Sequence, residues 1–447
     1  MQRLLRLPDG FLKYGVAALI LTVLLYPKFP LFSFPGISVS VRLEDIVVLA
    51  VFALWLNTLN VRSFLKNNLN RAILLFLIVG LVSLFAGVFL TKTTVFSVGL
   101  LHWARRVEYL SAIFIGVSSV KSRQDLYFYL KLLIVVTVIA FIYGIGQRYF
   151  HIPIVTTQNE QYARGIALRW REGAHIVSTF AGHYDLASFL ILVFPTFYLL
   201  LFSSVETIKK FIPHTRPIIV RAVLFGTILM GLWLLTQSAS RISIASYLGS
   251  TVLALILAGR KKFIPIVLVL SFVFASMSGN LINRYFSILN VYAESEASIQ
   301  ELPEELPSPI SEPVVEDRST SIRLNVEWPR AIRALSKNPI TGTGYSSITL
   351  ATDNDYLRML GETGILGFAS FWLAFGSIVV YILNHFPSAK SPESIFVVGI
   401  FSAISGVLLN MVFIDILEAS KFAICFWLML GFVIGILRSE KGRVLNG

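Results

Sequence analysis

Arginines gathered in one polar stretch are the residues of this chain best suited to chemistry. The stretch covers residues 317–367 of an otherwise apolar sequence. A guanidinium group presents a planar fork that binds two phosphate oxygens at once. Charged residues in a membrane protein are costly to place and mark functional positions. The stretch therefore predicts a site for an anionic group, built from six basic residues: Arg318, Arg323, Arg330, Arg333, Lys337 and Arg358.

Three residues outside this stretch also suit a charged ligand. Arg241 stands alone in a short turn between two apolar runs, so we expect it at the depth of lipid headgroups. The simpler interpretation is a side chain that reaches lipid phosphate. Arg171 is either a phosphate ligand or an ordinary loop arginine. His183 would position a substrate or act as a base, or would form an interfacial polar pair with Asp185.

Within the stretch, two residues have a structural alternative. Arg323 suits a phosphate, but it also precedes Glu327 by one helical turn and would form a surface ion pair with it. Asp353 precedes a helical pattern and is expected to be its N-cap. The run Asp353-Asn354-Asp355 also resembles the Asp-x-Asp metal site of other enzymes, but three residues are a weak signal. No metal is predicted.

The apolar remainder of the chain must position these residues in a membrane. The 447 residues are 55% hydrophobic and 14% charged, with a mean hydropathy of +0.75, whereas a soluble domain has about 25% charged residues. Continuous apolar runs of roughly 17–25 residues are each long enough to cross a bilayer as a helix. The sequence therefore predicts an all-α polytopic integral membrane protein. The net charge of +13 fits loops that face anionic lipid rather than a nucleic acid.

About twelve transmembrane helices are predicted, so both termini lie on one side of the membrane. The distribution of lysine in the short loops predicts that this is the cytoplasmic side. The predicted spans are 13–28, 45–59, 71–90, 105–120, 126–147, 184–203, 217–236, 241–259, 263–278, 364–385, 394–413 and 420–437.

These spans divide the chain into four parts. We expect N-terminal transmembrane helices in 1–147 and central helices with a first outer loop in 148–278. A large extracytoplasmic loop, 279–363, separates the ninth and tenth spans, and 364–447 holds the C-terminal helices. Within the large loop, residues 291–317 contain eight acidic residues and no Lys or Arg, which is typical of a flexible, solvated segment. No nucleotide-binding loop and no His/Cys metal cluster occurs in the sequence, so no cofactor is predicted.

Two short pieces before the large loop introduce a resemblance to a known family. Arg171, followed by STFAGHYDLASFLILVFP at 178–195, resembles the entry to the middle spans of the O-antigen ligase and polymerase family of bacterial envelope glycosyltransferases. TQSASR at 236–241 is similar to the Ser-Arg turn of that family. The resemblance covers roughly residues 140–437.

Two further pieces follow in the order that the family has them. Arg323 to Gly344 resembles its arginine, tryptophan and Asn-Pro-x-x-Gly-x-Gly series. Asp353 to Gly367 resembles its motif of histidine, then Asn, Ser or Gln, nine residues and Gly-x-x-Gly. Asp353 stands where the ligases have the histidine that is taken to be their catalytic base. This departure favours a polymerase, or a ligase for a different acceptor, and the choice between the two stays open.

The resemblance implies a membrane glycosyltransferase of surface polysaccharide assembly. A glycan would move from polyprenyl pyrophosphate to an acceptor hydroxyl on the outer face of the membrane. The partners implied are this lipid-linked donor, a glycan or lipid acceptor and membrane lipids, with no nucleic acid. Asp353 would replace the histidine as base, because burial raises the pKa of a carboxylate. Arg241 and Arg323 would stabilise the departing pyrophosphate.

The resemblance also implies residues that bind the substrates. Trp328 and Tyr345 would stack on sugar rings, or would simply pack the loop. The full set of expected binding residues is Arg171, His183, Asn354, Trp328 and Tyr345.

Two other functions compete with this interpretation. A transporter or flippase of lipid-linked glycans would need charges along a path through the span interiors, and such proteins often show inverted repeats. The charged residues here gather instead at one face. A non-catalytic envelope scaffold would use the large loop as its docking surface. Neither competitor makes a new glycosidic bond.

Overall fold

A computed structural model describes most of the chain. The described residues are 10–33, 40–155, 170–171, 174–213, 215–276, 321–349, 351–387 and 391–445. The acidic segment 291–317, predicted to be flexible, lies outside them.

The described chain is almost entirely helical, as the apolar runs predict. Two short strands, β1 and β2, pair antiparallel between the first two helices. A π-helical turn, Ala86–Leu90, extends α4, and another, Arg323–Glu327, precedes α12. The elements in chain order are α1 Phe11–Leu25, β1 Pro30–Ser33, β2 Ser40–Arg42, α2 Leu43–Leu56, α3 Val61–Lys66, α4 Asn68–Phe85, α5 Phe96–Ser119, α6 Arg123–Tyr149, α7 His183–Leu201, α8 Val205–Phe211, α9 Pro217–Gln237, α10 Arg241–Leu257, α11 Ile264–Ser276, α12 Trp328–Lys337, α13 Asp355–Asn384, α14 Ser394–Asn410 and α15 Ser420–Leu445.

Every predicted span coincides with one of these helices. Six helices of the described chain are long and apolar enough to cross a membrane, namely α4 with its π turn, α6, α7, α9, α13 and α15. Three shorter apolar helices, α1, α10 and α14, accompany them. The fold is therefore that of a polytopic helical membrane protein, while the count of twelve spans stays a prediction.

Two helices, α7 and α15, form the centre of the bundle. All residues of α7 from Leu186 to Leu200 are buried. Helix α15 packs closely along α5 because small residues meet there. A Cβ on Gly116 would lie 2.6 Å from the carbonyl oxygen of Leu428. Glycine at such a crossing lets two backbones approach, which is how helices gain packing energy in lipid.

Helix α13 is broken at Gly364, which has φ 66° and ψ −170°. The loop that follows α12 fits into this break. The amide of Gly344 donates to the carbonyl of Glu362 at 2.8 Å, and a Cβ on Gly364 would lie 2.5 Å from the nitrogen of Gly342. The break separates a short arm, residues 355–363, from an apolar helix that matches the predicted span 364–385.

Several helices begin at one end of the bundle, which we call the site end. Helix α7 begins there at His183, α10 at Arg241, α13 at Asp355 and α15 at Ser420. Polar contacts at the C-terminus of α14 join three of them. Asn410 donates to Ser188 at 2.9 Å and accepts from Ser243 at 3.2 Å, and the amide of Asp355 donates to the carbonyl of Met411 at 2.9 Å.

Candidate active site

Arg323 and Asp353 form an ion pair at the site end. The Nε and Nη2 groups of Arg323 donate to Oδ2 of Asp353 at 3.0 and 2.8 Å. The same Nη2 donates to the hydroxyl of Tyr184 at 3.3 Å. The sequence suggested Glu327 as the alternative partner of Arg323, but the ion pair is with Asp353, thirty residues further along. Two residues that the resemblance places in one site are thus in direct contact.

The N-cap of α13 is Asn354, so the prediction of Asp353 as the cap is wrong by one residue. Oδ1 of Asn354 accepts from the amide of Leu357 at 2.9 Å. Asn354 has the extended backbone that a cap needs, whereas Asp353 has φ 47°. The carboxylate of Asp353 is consequently available to Arg323. Asn354 is buried, and its side-chain carbonyl already accepts the capping hydrogen bond. The expected role of Asn354 in substrate binding stays a prediction.

Two carboxylates hold the backbone around Asp353. Asp415 accepts from the amides of Thr352 and Asn354, on either side of Asp353, at 2.8 and 2.9 Å. Asp355 accepts in return from the amide of Ile416 at 2.9 Å. A left-handed conformation costs a non-glycine residue roughly 1–2 kcal/mol, and these hydrogen bonds offset that cost. The two loops 351–355 and 411–418 therefore lock each other in place.

Asp415 is not among the site residues predicted from the sequence. Its only signal is a pair of acidic residues, Asp415 and Glu418, in the short gap between the last two apolar runs. Both contact arginines. Arg358 donates to Asp415 at 2.9 Å, and Arg106 forms an ion pair with Glu418. The acidic residues thus compensate basic charge beneath the site.

A small cavity lies beneath the locked loops. Its volume is about 40 Å³, and Arg106, Arg358 and Glu362 contribute to its lining. About 10–15 Å³ of such space is enough for one water, so the cavity suits a few water molecules. Neither Arg323 nor Asp353 lines it.

Burial shifts the proton affinity of the carboxyl groups in the site. It raises the pKa of Asp353, with a further rise from the Asp415 carboxylate, while the Arg323 guanidinium opposes both. Burial, followed by the Asp353 carboxylate, raises the pKa of Glu327 to about 7. A base works best when its pKa lies near the working pH. The arrangement therefore suits proton uptake by a carboxylate beside a fixed positive charge.

The family comparison agrees with this chemistry. The family model described as O-antigen ligase matches residues 225–372. These residues are about a third of the chain, and we refer to them as the O-antigen ligase domain. The match confirms the resemblance to the O-antigen ligase and polymerase family, and it supports a glycosyltransferase-like role in surface polysaccharide assembly at a membrane. No curated protein matches the chain.

The O-antigen ligase domain includes Arg241, which is the first residue of α10. The turn before it is tight, because Ala239 has φ 50° and the hydroxyls of Ser240 and Ser243 lie 2.6 Å apart. The expected position of Arg241 in a short turn between two apolar helices is thus observed, at the site end. Its role towards a substrate stays a prediction.

Arg171 and His183 precede the O-antigen ligase domain in the chain and lie at the site end. The amide of Ile176 donates to the carbonyl of Gln237 at 3.1 Å, which sets the segment after Arg171 against the end of α9. The rings of His183 and Tyr184 are tilted by 39°, with centroids 4.0 Å apart. Tyr184 accepts a hydrogen bond from Arg323. His183 therefore directly precedes, in the sequence, a residue that contacts the ion pair.

The two aromatic residues expected to stack on sugar rings differ in accessibility. Tyr345 is only 4% exposed and packs against α4, where a Cβ on Gly80 would lie 2.7 Å from its hydroxyl oxygen. This is the packing role that the sequence left open. Trp328 is partly exposed at the start of α12, with its ring 6.4 Å from that of Phe413. Trp328 is thus the better placed of the two to contact a sugar.

The carboxylates of Asp353 and Asp355 face different partners. Asp353 contacts Arg323, whereas Asp355 is buried and accepts from backbone amides. They do not converge as an Asp-x-Asp metal site requires.

Proposed function

We propose that this protein is a glycosyltransferase that moves a glycan from polyprenyl pyrophosphate to an acceptor hydroxyl on the outer face of the membrane. The observation that carries the proposal is the Arg323–Asp353 pair, which lies inside the O-antigen ligase domain. Arg323 is suited to bind a phosphate group, and Asp353 is suited to accept a proton. Transfer from a pyrophosphate-linked donor needs both functions at one place.

In the proposed reaction, Asp353 takes the proton of the acceptor hydroxyl. The hydroxyl oxygen forms a bond to the anomeric carbon as the bond from that carbon to the pyrophosphate oxygen breaks. The polyprenyl pyrophosphate leaves with the electron pair and the additional negative charge. Arg323, Arg241 and Arg171 stabilise this charge, because fixed cations act strongly where water is excluded.

The Arg323–Asp353 ion pair couples proton uptake by Asp353 to departure of the pyrophosphate. Before transfer, the carboxylate of Asp353 and the hydroxyl of Tyr184 hold Arg323 in place. Protonation of Asp353 removes the negative charge that faces Arg323. The positive charge of Arg323 then acts on the leaving pyrophosphate at the step where negative charge develops there.

His183 is the alternative base. It neighbours the pair through Tyr184 and stacks on His175, with ring centroids 4.4 Å apart. An unperturbed histidine titrates near pH 6.5 and needs no burial to act as a base. His183→Gln would decide between the two carriers of the proton, since Asp353 as base predicts that much transfer survives this change.

The test uses purified protein in detergent with a polyprenyl-pyrophosphate-linked glycan and an acceptor. We expect wild-type protein to form a new glycosidic bond, and Asp353→Asn to reduce transfer by a factor of about 100 or more, in line with losses at charge-stabilising positions. The control is Arg62→Gln, a change at an exposed arginine of α3. Full activity of Asp353→Asn would reject the role of Asp353. No transfer by wild type would favour the transporter or the scaffold.

Gene deletion separates polymerase from ligase. If long surface chains vanish while single repeat units still reach their anchor, the protein is a polymerase. If long chains persist on the carrier lipid and never reach the anchor, it is a ligase. Lipid-linked glycan that accumulates on the cytoplasmic face would indicate a transporter. The proposal places the protein in the inner membrane with both termini in the cytoplasm.

A further inference from the structure

Helix α12 has one apolar edge and one basic edge. Positions three, four and seven residues apart share a face of a helix. The apolar edge consists of Trp328, Ala331, Ile332 and Leu335. The basic edge, on the opposite side, consists of Arg330, Arg333 and Lys337.

Protein contacts cover only part of the apolar edge. Ala331 is buried against α13, where its carbonyl oxygen lies 3.0 Å from the position of a Cβ on Gly361. Trp328 lies near Phe413. Ile332, one turn beyond Trp328 on the same edge, is 50% exposed. The edge therefore begins against protein and continues as an open apolar surface.

The residues after α12 are fixed beside the start of the apolar part of α13. The carbonyl of Pro339 accepts from the amide of Ile365 at 2.8 Å, and that of Ile340 accepts from Leu366 at 3.1 Å. The three large side chains at this junction are exposed, Ile340 by 64%, Ile365 by 55% and Leu366 by 47%. Since Ile365 and Leu366 begin a helix that crosses the membrane, Ile340 lies at the same depth as the membrane boundary.

We propose that α12 is an interfacial helix that binds the surface of the phospholipid bilayer, with its apolar edge at the acyl boundary and its basic edge at anionic headgroups. The apolar surface at Ile332 and Ile340 continues directly into the lipid-facing surface of α13. A helix with this division of apolar and basic residues lies in the plane of the interface. Basic residues near an anionic leaflet add attraction that depends on headgroup charge.

The position of the candidate active site follows from this placement. The π-helical turn that carries Arg323 leads directly into α12. An interfacial α12 therefore holds Arg323 at the depth of lipid headgroups. The inference does not rest on glycosyl transfer, because membrane depth is measured without turnover.

Spin labels on single cysteines test the inference. The chain has one cysteine, Cys425, which is buried, so Cys425→Ala provides the background. Labels are attached to Ile332→Cys and Ile340→Cys on the apolar side, and to the matched controls Arg333→Cys and Lys337→Cys on the basic edge. The full chain is reconstituted into phosphatidylcholine vesicles that contain phosphatidylglycerol. Collisions with oxygen, which partitions into lipid, and with a water-soluble nickel chelate report the depth of each label.

We expect labels at 332 and 340 to be accessible to oxygen and shielded from the chelate, and labels at 333 and 337 to show the reverse. Equal access of the chelate at all four positions overturns the inference. The second measurement compares vesicles with and without phosphatidylglycerol. Its omission should move the labels at 332 and 340 towards water, and replacement of Arg330, Arg333 and Lys337 by glutamine should remove that dependence. An unchanged depth without phosphatidylglycerol would refute the role assigned to the basic edge.

Discussion

Two charged clusters at the site end differ in their access to solvent. In the first, which we call the sealed cluster, Lys28, Glu44 and Lys421 are all buried, and Lys421 is 0% exposed. The ammonium group of Lys421 donates to the carbonyls of Tyr26 and Thr179 at 2.6 and 2.8 Å. Ser420 donates to Glu44 at 2.9 Å. Backbone and side-chain partners thus hold these charges inside the bundle.

The Arg323–Asp353 pair is open by comparison. The side chain of Arg323 is 13% exposed and that of Asp353 is 24% exposed. Both remain within reach of a molecule that approaches from the site end. A charge that protein carbonyls enclose cannot exchange partners, whereas a partly exposed ion pair can open towards a substrate. The sealed cluster therefore fits a structural role and the open pair fits a catalytic one.

The largest effect expected from this difference is on transfer when the open pair is broken. Arg323→Gln should reduce the rate of glycosyl transfer by about 100- to 1000-fold, because it removes a charge aimed at the leaving group. Stability should change by about 1–2 kcal/mol, because the pair is partly exposed and Arg323 also loses its hydrogen bond to Tyr184. Rates with purified protein and thermal unfolding in detergent measure the two effects. A large loss of stability together with activity would erase the distinction between the clusters.

Breaking the sealed cluster should have the opposite signature. Lys421→Met leaves the buried Glu44 with less compensation and removes two hydrogen bonds to carbonyls. We expect the free energy of unfolding to fall by roughly 3 kcal/mol, because two carbonyls lose a charged donor at roughly 1–3 kcal/mol each. Transfer per folded molecule should remain near the wild-type value. Unfolding in detergent, followed alongside the transfer rate, checks both, and a selective loss of transfer would assign the sealed cluster to catalysis.

The fold was more predictable than the site because the two depend on different information. Continuous apolar runs determine where helices cross a membrane, and each predicted span coincides with a helix. The start of α5 was the exception. The sequence placed it at residue 105, but the helix begins at Phe96 and carries Arg105 and Arg106 in its middle. Arg106 forms an ion pair with Glu418, a partner far along the chain that periodicity does not reveal.

The candidate site was predictable only as a set of residues. Motif order selected Arg323 and Asp353, but their contact depends on two loops that are locked by Asp415 and Asp355. Nothing in the spacing indicates that lock, because it uses backbone amides. For the same reason the sequence predicts the N-cap of α13 at Asp353, whereas the structure has it at Asn354. The positive φ of Asp353 is a consequence of tertiary contacts and has no local sequence signal.

A smaller effect tests whether backbone geometry positions the open pair. Gly364→Ala should lower the free energy of unfolding by roughly 2 kcal/mol, because alanine is strained at φ 66° and its Cβ would meet Gly342. The matched control is Gly376→Ala in the same helix, where a Cβ meets nothing within 4 Å. That change should be neutral or stabilise by up to about 1 kcal/mol. Equal unfolding temperatures for the two variants would contradict the role of the break.

The smallest effect concerns the pH dependence of transfer, which should differ between variants of the two clusters. Asp353 accepts a proton only when it is ionised, and burial raises its pKa. Transfer should therefore fall with decreasing pH at a value above the ordinary aspartate pKa of about 3.9. The guanidinium of Arg323 lowers the pKa of Asp353. In Arg323→Gln, the acid limb of the residual rate should consequently move to higher pH, whereas Lys421→Met should leave it in place.

Glu327 needs a control in this experiment, because its own pKa is about 7. If the acid limb belongs to Asp353, it persists in Glu327→Gln. Besides burial, the groups that shift the pKa of Asp353 are Arg323 and Asp415, so the limb should stay at the same pH in this variant. If the limb instead disappears in Glu327→Gln and is retained in Asp353→Asn, the proton acceptor is Glu327. The open pair would then consist of a phosphate-binding arginine and a carboxylate that only orients it.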